Sequence, residues 1–104
     1  MIVTIFRSRL RPGVSGDYEP TADRMDALAV TMPGYISHKG FLAEDGERVT
    51  IVEFESEEAV RNWRMHPEHA AAQKAGRDLF YEESGVQTRE VLRQSNFTRK
   101  GSAA

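Results

Sequence analysis

The side chains best suited to chemistry gather between positions 62 and 81: Asn62, Trp63, His66, Glu68, His69, Gln73, Arg77 and Tyr81, with His38 set apart upstream. His66 and His69 stand three residues apart around Glu68, a spacing that invites a metal ion. Zinc is usually held by at least three convergent protein ligands, and this segment supplies two imidazoles and one carboxylate. Pro67 also sets His66 at a helix start instead of on a helix face. The favoured reading is structural: His66 caps free N–H groups and Glu68 complements the positive end of the helix dipole. No metal centre is expected. An unperturbed imidazole titrates near neutrality, so proton transfer stays open to either histidine.

Trp63, the one tryptophan, has two candidate roles. It fills core, or it presents a flat wall against which a planar aromatic molecule stacks. His69, Gln73 and Arg77 recur every four residues and share a helical stripe. Such a stripe is either a solvated face or a pocket border, from which Gln73 and Arg77 would hydrogen-bond a phenolate or quinone oxygen. His38 falls mid-strand on the side of Ile36 and Leu42, which predicts burial as structure or as the polar lining of an apolar pocket. Glu53 shares a face with Val49 and Ile51, where a hydrogen bond across a dimer interface is expected. Tyr18, Tyr35 and Tyr81 supply phenol donors or packing. There is no glycine-rich phosphate loop, no serine nucleophile motif and no carboxylate pair distinct from the general surface charge, which argues against nucleotide and hydrolase chemistry.

These residues must be positioned by a chain of 104 residues, 39% hydrophobic and 29% charged, which is one small globular domain. Fourteen basic residues oppose sixteen acidic ones, for a net charge of −2, and no basic stripe suggests nucleic acid. The longest apolar run, Ala27 to Val30, is too short to span a membrane. There is no cysteine, and no basic-then-apolar leader opens the chain, so the cytoplasm is the expected compartment.

Ile2 to Leu10 is rich in β-branched residues, apolar on both faces at its start, and reads as a central strand. A helix follows, with Asp17 as its cap, Pro20 in its first turn and Tyr18, Met25, Leu28, Ala29 and Met32 as its apolar positions; Pro33-Gly34 stops it. Tyr35 to Ala43 and Arg48 to Phe54 are strands joined at Asp45-Gly46. Ser56, followed by Glu57 and Glu58, starts a short helix carrying Ala59, Val60 and Trp63. It breaks at His66-Pro67, and a second helix runs to about Glu83. Gly85 leads into a last strand, Val86 to Arg93. The order is that of an α+β, ferredoxin-like βαββαβ fold with a four-stranded antiparallel sheet and both helical layers on one face. Apolar residues on both sides of the strands predict a second copy against the bare face, a homodimer. Residues 1–97 are expected to form the domain and 98–104 a flexible C-terminal tail.

The run Phe54-Glu55-Ser56-Glu57-Glu58-Ala59, then Asn62-Trp63, His66-Pro67-Glu68-His69, Ala72-Gln73, Gly76-Arg77 and Phe80-Tyr81 resembles the antibiotic biosynthesis monooxygenase family of dimeric α/β barrels. With the element order, the likeness extends across residues 1–97. It implies that two protomers pair their sheets into a barrel, each with a pocket between its own sheet and helices. Polyketide-oxidising members contact substrate through an Asn and a Trp of the first helix of this pair, a downstream Tyr and an Arg, which carry over to Asn62, Trp63, Tyr81 and Arg77. Haem-degrading members use a first-strand Asn, the helix Trp and an axial His ten residues later. Here Arg7, Ser8 and Arg9 occupy the strand and Gln73 stands ten residues after Trp63, so two of those three signatures are absent.

The resemblance therefore implies a cofactor-independent monooxygenase acting on a small hydrophobic aromatic such as a phenol, quinol or anthrone. Trp63 would orient the ring and Asn62 donate to an oxygen; His38 or His66 would assist proton transfer, and Arg77 or Tyr81 stabilise charge. His38, His69, Gln73 and Tyr81 would line the substrate. The alternatives are a haem-binding, haem-degrading enzyme and a non-catalytic dimer that binds a small ligand.

Overall fold

In the computed structural model, which describes residues 1–99, β1 (Ile2–Leu10) pairs antiparallel with both β3 (Arg48–Phe54) and β4 (Tyr81–Glu90), and β3 pairs with β2 (Tyr35–Leu42). The sheet order is β2-β3-β1-β4, so the strand predicted to be central is central. Three helices, α1 (Ser15–Ala29), α2 (Glu57–Met65) and α3 (Pro67–Ala75), complete a ferredoxin-like βαββαβ fold, with a π-helical turn over Gly76–Phe80 leading into β4.

Strand alternation sorts the side chains. Ile2, Thr4, Phe6 and Ser8 of β1 share one face with their β3 partners Phe54, Val52, Thr50 and Arg48. That face meets the helices: Phe54 is fully buried among Leu28, Ala29, Ala59, Val60 and Trp63, with Ile2, Val52, Met25, Met32 and Tyr35 packed around them. Val3, Ile5 and Arg7, opposite Glu53, Ile51 and Val49, occupy the other face, which no helix among the described residues covers. Glu53 accepts a hydrogen bond from Ser37 Oγ of its own chain.

Local signals explain most boundaries. The β2–β3 hairpin closes with Gly46 at φ +90°, its N–H donating to the Ala43 carbonyl, the geometry of a turn ending in a left-handed residue. Ser56 Oγ accepts from Ala59 N at 3.1 Å and caps α2, with Glu57 and Glu58 in its first turn. His66 takes the extended backbone that a residue before proline prefers, ending α2, and its Nδ1 accepts from Glu68 N at 3.1 Å to cap α3.

Two expectations are corrected. First, α1 begins at Ser15, because Asp17 N and Tyr18 N both bond the Val14 carbonyl; Asp17 lies in the first turn and caps nothing. Pro20 is therefore inside the helix, where its missing N–H leaves the exposed Gly16 carbonyl to solvent. Second, the last helical segment ends at Phe80, not near Glu83, and β4 starts at Tyr81, not Val86. Gly76 is responsible. A Cβ there would lie 2.3 Å from Tyr81 Cε2, so only glycine lets the Tyr81 ring close over the turn and swing the chain into the sheet. Gly85 is consequently mid-strand, opposite Arg7, and Val91 to Arg93 lie past the end of β4. The expected tail falls outside the described residues except for Thr98 and Arg99, which carry no regular structure.

Candidate functional site

The break at His66-Pro67 folds α3 back along α2 and places the His69 imidazole flat on the Trp63 indole, with ring centroids 3.9 Å apart and planes 15° from parallel. His69 Nδ1 lies 3.0 Å from the Trp63 carbonyl oxygen. A carbonyl only accepts, so the proton of the neutral ring belongs on Nδ1 and Nε2 is left with a free lone pair. Burial pushes the His69 pKa below its ordinary value; the hydrogen bond to the carbonyl opposes that, and His66 adds to it. The result is a neutral imidazole of fixed tautomer against an apolar wall. Trp63 is only 8% exposed and belongs to the core. One of its faces is thus taken by His69: Trp63 is core, and the ring stacked on it within the chain is a histidine.

A second group lies on the helix-facing side of β2. Tyr35 Oη is 2.7 Å from His38 Nδ1, and His38 Nε2 is 3.5 Å from Asp26 Oδ1 of α1. The Tyr35 ring stands edge-on to Phe54 at 6.1 Å. Desolvation raises the Asp26 carboxyl above its usual range, with His38 acting in the opposite sense. Residues three apart on a regular strand point to opposite faces. Here the β2–β3 register slips between Tyr35 and Ser37, so that Tyr35 pairs with Phe54 and His38 with Val52, both on the core side. That slip hid Tyr35 as a partner of His38; Asp26, on another element, carried no sequence signal at all.

A third group closes the far end of the same face. Tyr81 packs against Phe6 at 5.6 Å and Tyr18 at 5.8 Å, and Tyr18 against Phe80 at 5.7 Å. Arg48 lies over the Tyr18 ring and pairs with Glu19 at 2.8 Å. Burial, and then the neighbouring Tyr18 phenol, push the Tyr81 phenol well above its ordinary pKa, so it remains a donor at any physiological pH. Ser8, between Phe6 and Leu10 on β1 and paired with Arg48, is 2% exposed, and its hydroxyl has no hydrogen-bond partner among the described residues.

The other expected residues are dispersed. Asn62 is exposed and lines a shallow depression of about 230 Å³ with Pro33, Gly34, Ser56 and Ala59. Neighbouring helical residues diverge by about 100°, and Asn62 is accordingly not brought together with Trp63. Gln73 is half-buried on α3, and Arg77 is exposed on the π turn. A depression of about 130 Å³ among Arg7, Ser8, Glu47, Glu83, Ser84 and Gly85 contains none of the histidines or tyrosines.

His66 Nδ1 serves the α3 cap, Glu68 is held by Arg24 through two bonds of 2.7 and 2.8 Å, and His69 Nδ1 faces a carbonyl. Their donors therefore diverge. Among the described residues no group of three or more His, Asp or Glu is placed to share a metal ion.

Haem enters through the haem-degrading relatives. At the position of their axial imidazole stands Gln73, and His69 lies against the indole with Nδ1 engaged. On β1, Arg7 is tied to Glu47, and Arg9 to Asp45 and Glu83. These residues do not fit haem.

A ferredoxin-like sheet with histidines and tyrosines between it and its helices defines a small α+β class with many activities. Within it, the profile of the antibiotic biosynthesis monooxygenase domain matches residues 1–75, and the chain belongs to that family. It is 38% identical over 80 residues to the uncharacterized protein YqjZ of Bacillus subtilis, a match covering 77% of this chain and 70% of that one. Rv0793 from Mycobacterium tuberculosis shares the fold, with a TM-score of 0.82 at 20% identity over 91% of this chain and 98% of that chain. So does SnoaB, a cofactor-independent oxygenase from Streptomyces nogalater, with a TM-score of 0.68 at 23% identity over 89% and 97%.

Proposed function

We propose that this protein is a cofactor-independent monooxygenase that oxidises a small hydrophobic aromatic, a phenol, quinol or anthrone, with molecular oxygen. The observation that carries the reading is the His69–Trp63 pair: a neutral imidazole with its tautomer fixed, its Nε2 free, and an apolar wall beneath it. Such a substrate needs no metal once a proton is removed, because its anion is electron-rich enough to meet oxygen directly. The protein's task is to exclude water, take the proton and stabilise the anion. For an anthrone-type methylene the balance is CH₂ + O₂ → C=O + H₂O, one oxygen atom entering the ring and the other leaving with both hydrogens. In this reading the free His69 Nε2 accepts a hydrogen bond from the substrate hydroxyl, and the protonated Tyr81 phenol donates to the developing oxyanion. His38 supports proton transfer, and Gln73 and Arg77 contact the substrate from the α3 side. This reading gives the proton chemistry to His69 and His38, with Asn62 and His66 in lesser roles.

The working form is a homodimer whose uncovered sheet faces meet as a barrel. Val3, Ile5, Val49 and Ile51 on that face support it, as do Leu92 and Phe97, which are 90% and 80% exposed in the single chain. Residues 1–97 form the folded unit of a cytoplasmic protein with neither nucleic acid nor membrane among its partners. No helix among the described residues is long and apolar enough to cross a membrane.

The test is oxygen uptake with an anthrone and a hydroquinone. Stoichiometric consumption of O₂ by the wild type, lost in His69→Gln, supports the reading. Tight binding of these compounds without oxygen uptake would make the protein a ligand-binding dimer instead. A saturating Soret shift at one ferric haem per protomer would put haem chemistry first.

A further inference from the structure

We infer that Tyr35, His38 and Asp26 form a proton relay from the core-side face of the sheet to solvent. It follows that the substrate reacts through an ionisable hydroxyl, as a phenol or as the enol of an anthrone. The inference rests on the oxygenase reading above. Three observations carry it.

First, polarity is graded along the line. Tyr35 packs on the core against Phe54, the His38 side chain is 21% exposed, and that of Asp26 is 58% exposed. Second, the atoms are ordered for transfer. With Asp26 ionised beside Nε2, the neutral His38 ring carries its proton there, which leaves Nδ1 to accept from Tyr35 Oη at 2.7 Å. The Tyr35 oxygen keeps lone pairs for a donor on its other side. Third, the local backbone departs from a regular strand to make the contact: without the register slip between Tyr35 and Ser37, the two side chains would lie on opposite faces. At 3.5 Å His38 Nε2 and Asp26 Oδ1 are near neighbours and not hydrogen-bonded, so the last transfer is to solvent beside the exposed Asp26 carboxylate.

The step balances without any oxidant. The substrate O–H breaks and its proton joins the Tyr35 oxygen. The Tyr35 O–H breaks and its proton joins His38 Nδ1. The His38 Nε2–H proton leaves to solvent beside Asp26. The electron pair stays with the substrate as a phenolate or enolate and is delocalised to the ring carbon, where dioxygen bonds. On α1, Asp23 and Glu19 act on Asp26. On β3 the residues facing His38 and Tyr35 are Val52 and Phe54, which do not titrate.

Two readouts test this, one of them independent of turnover. In ¹⁵N NMR of the full chain at pH 8, His38 should show the Nε2–H tautomer with an acceptor-type Nδ1, and Tyr35→Phe should shift the Nδ1 resonance. An Nδ1–H tautomer, or a resonance unmoved by Tyr35→Phe, overturns the relay whatever the protein oxidises. With an anthrone and oxygen, Tyr35→Phe and His38→Gln should each lower kcat by about a hundredfold. KM should change little, and activity should recover as rising pH ionises the substrate in solution. Wild-type turnover combined with variants of unchanged kcat and pH profile overturns the relay and leaves the oxygenase reading standing. Absence of wild-type turnover with the NMR signature present overturns the oxygenase reading instead.

Discussion

His69 lies on Trp63 with 3.9 Å between ring centres and its Nδ1 3.0 Å from the Trp63 carbonyl oxygen, so one residue supplies both the surface and the anchor for the other's ring. The Pro67 break makes this possible. It turns α3 so that a residue six positions downstream returns over the indole, a geometry that no single helix allows.

Because burial disfavours the imidazolium, His69 should make stability depend on pH in a defined direction. Its folded pKa is depressed from the 6.5 of a free imidazole. Its contribution is therefore fully present above that value and is lost as pH falls from there through the folded pKa. Thermal unfolding between pH 7.5 and 5 should show the wild type losing more stability than His69→Gln does over the same range. Equal losses would mean that the ring is not held neutral.

Trp63 should be read through two substitutions. Trp63→Ala removes a buried indole and should cost about 3–5 kcal/mol, enough to obscure any loss of activity. Trp63→Phe keeps a flat ring under His69 and should stay folded. If Trp63 only fills core, Trp63→Phe should turn over substrate at the wild-type rate; if its indole orients the reacting ring, kcat should fall while the unfolding temperature changes by only a few degrees. Oxygen uptake and calorimetry on the same preparation separate the two.

Much of the fold was legible because its signals are local. The bounds of β1 and β3, the Ser56 cap and the His66-Pro67 break all depend on a few adjacent residues. What escaped was set by tertiary contacts. β4 is an edge strand whose exposed run from Glu82 to Glu90 has no apolar alternation to announce it, and its start is dictated by the Tyr81 ring on Gly76. At the site, Trp63 and His69 were both recognisable as candidates, but their stacking required the angle between α2 and α3. Tyr35 and His38 share a face only through a register slip, and Asn62 sits beside Trp63 in sequence while pointing around the helix from it.

Gly76→Ala tests that tertiary origin. The new methyl would meet the Tyr81 ring at Cε2, Cδ2 and Cζ. Overpacking of this kind costs about 1–3 kcal/mol. A lowered unfolding temperature is expected, together with changed near-ultraviolet dichroism from the Tyr81–Tyr18–Phe6 cluster. Ala tolerated at full stability, with the aromatic signal intact, would mean that the turn does not depend on glycine.

Ser56→Ala should cost about 1 kcal/mol by leaving Ala59 N without its capping oxygen. Since α2 carries Ala59, Val60 and Trp63 into the core, the loss should appear in the global denaturant midpoint and not as local fraying. Ser56→Asp restores an acceptor and should recover most of it, which separates capping from packing.

The uncovered sheet face gives the sharpest test of assembly. Ile51 sits at its centre, paired with Ile5 on β1 and Lys39 on β2, and on the side away from Phe54 and Trp63. Ile51→Lys would place a charge in the proposed interface, and twofold symmetry would place it there twice. Sedimentation should then show a dimer for the wild type and a monomer for the variant, with far-ultraviolet dichroism unchanged because the helix-side core is untouched. The Nδ1–H tautomer of His69, on the opposite side of the sheet and read by ¹⁵N NMR, should also persist in the monomer. A wild type that sediments as a monomer, or a variant that remains dimeric, would mean that this face is not where two copies meet.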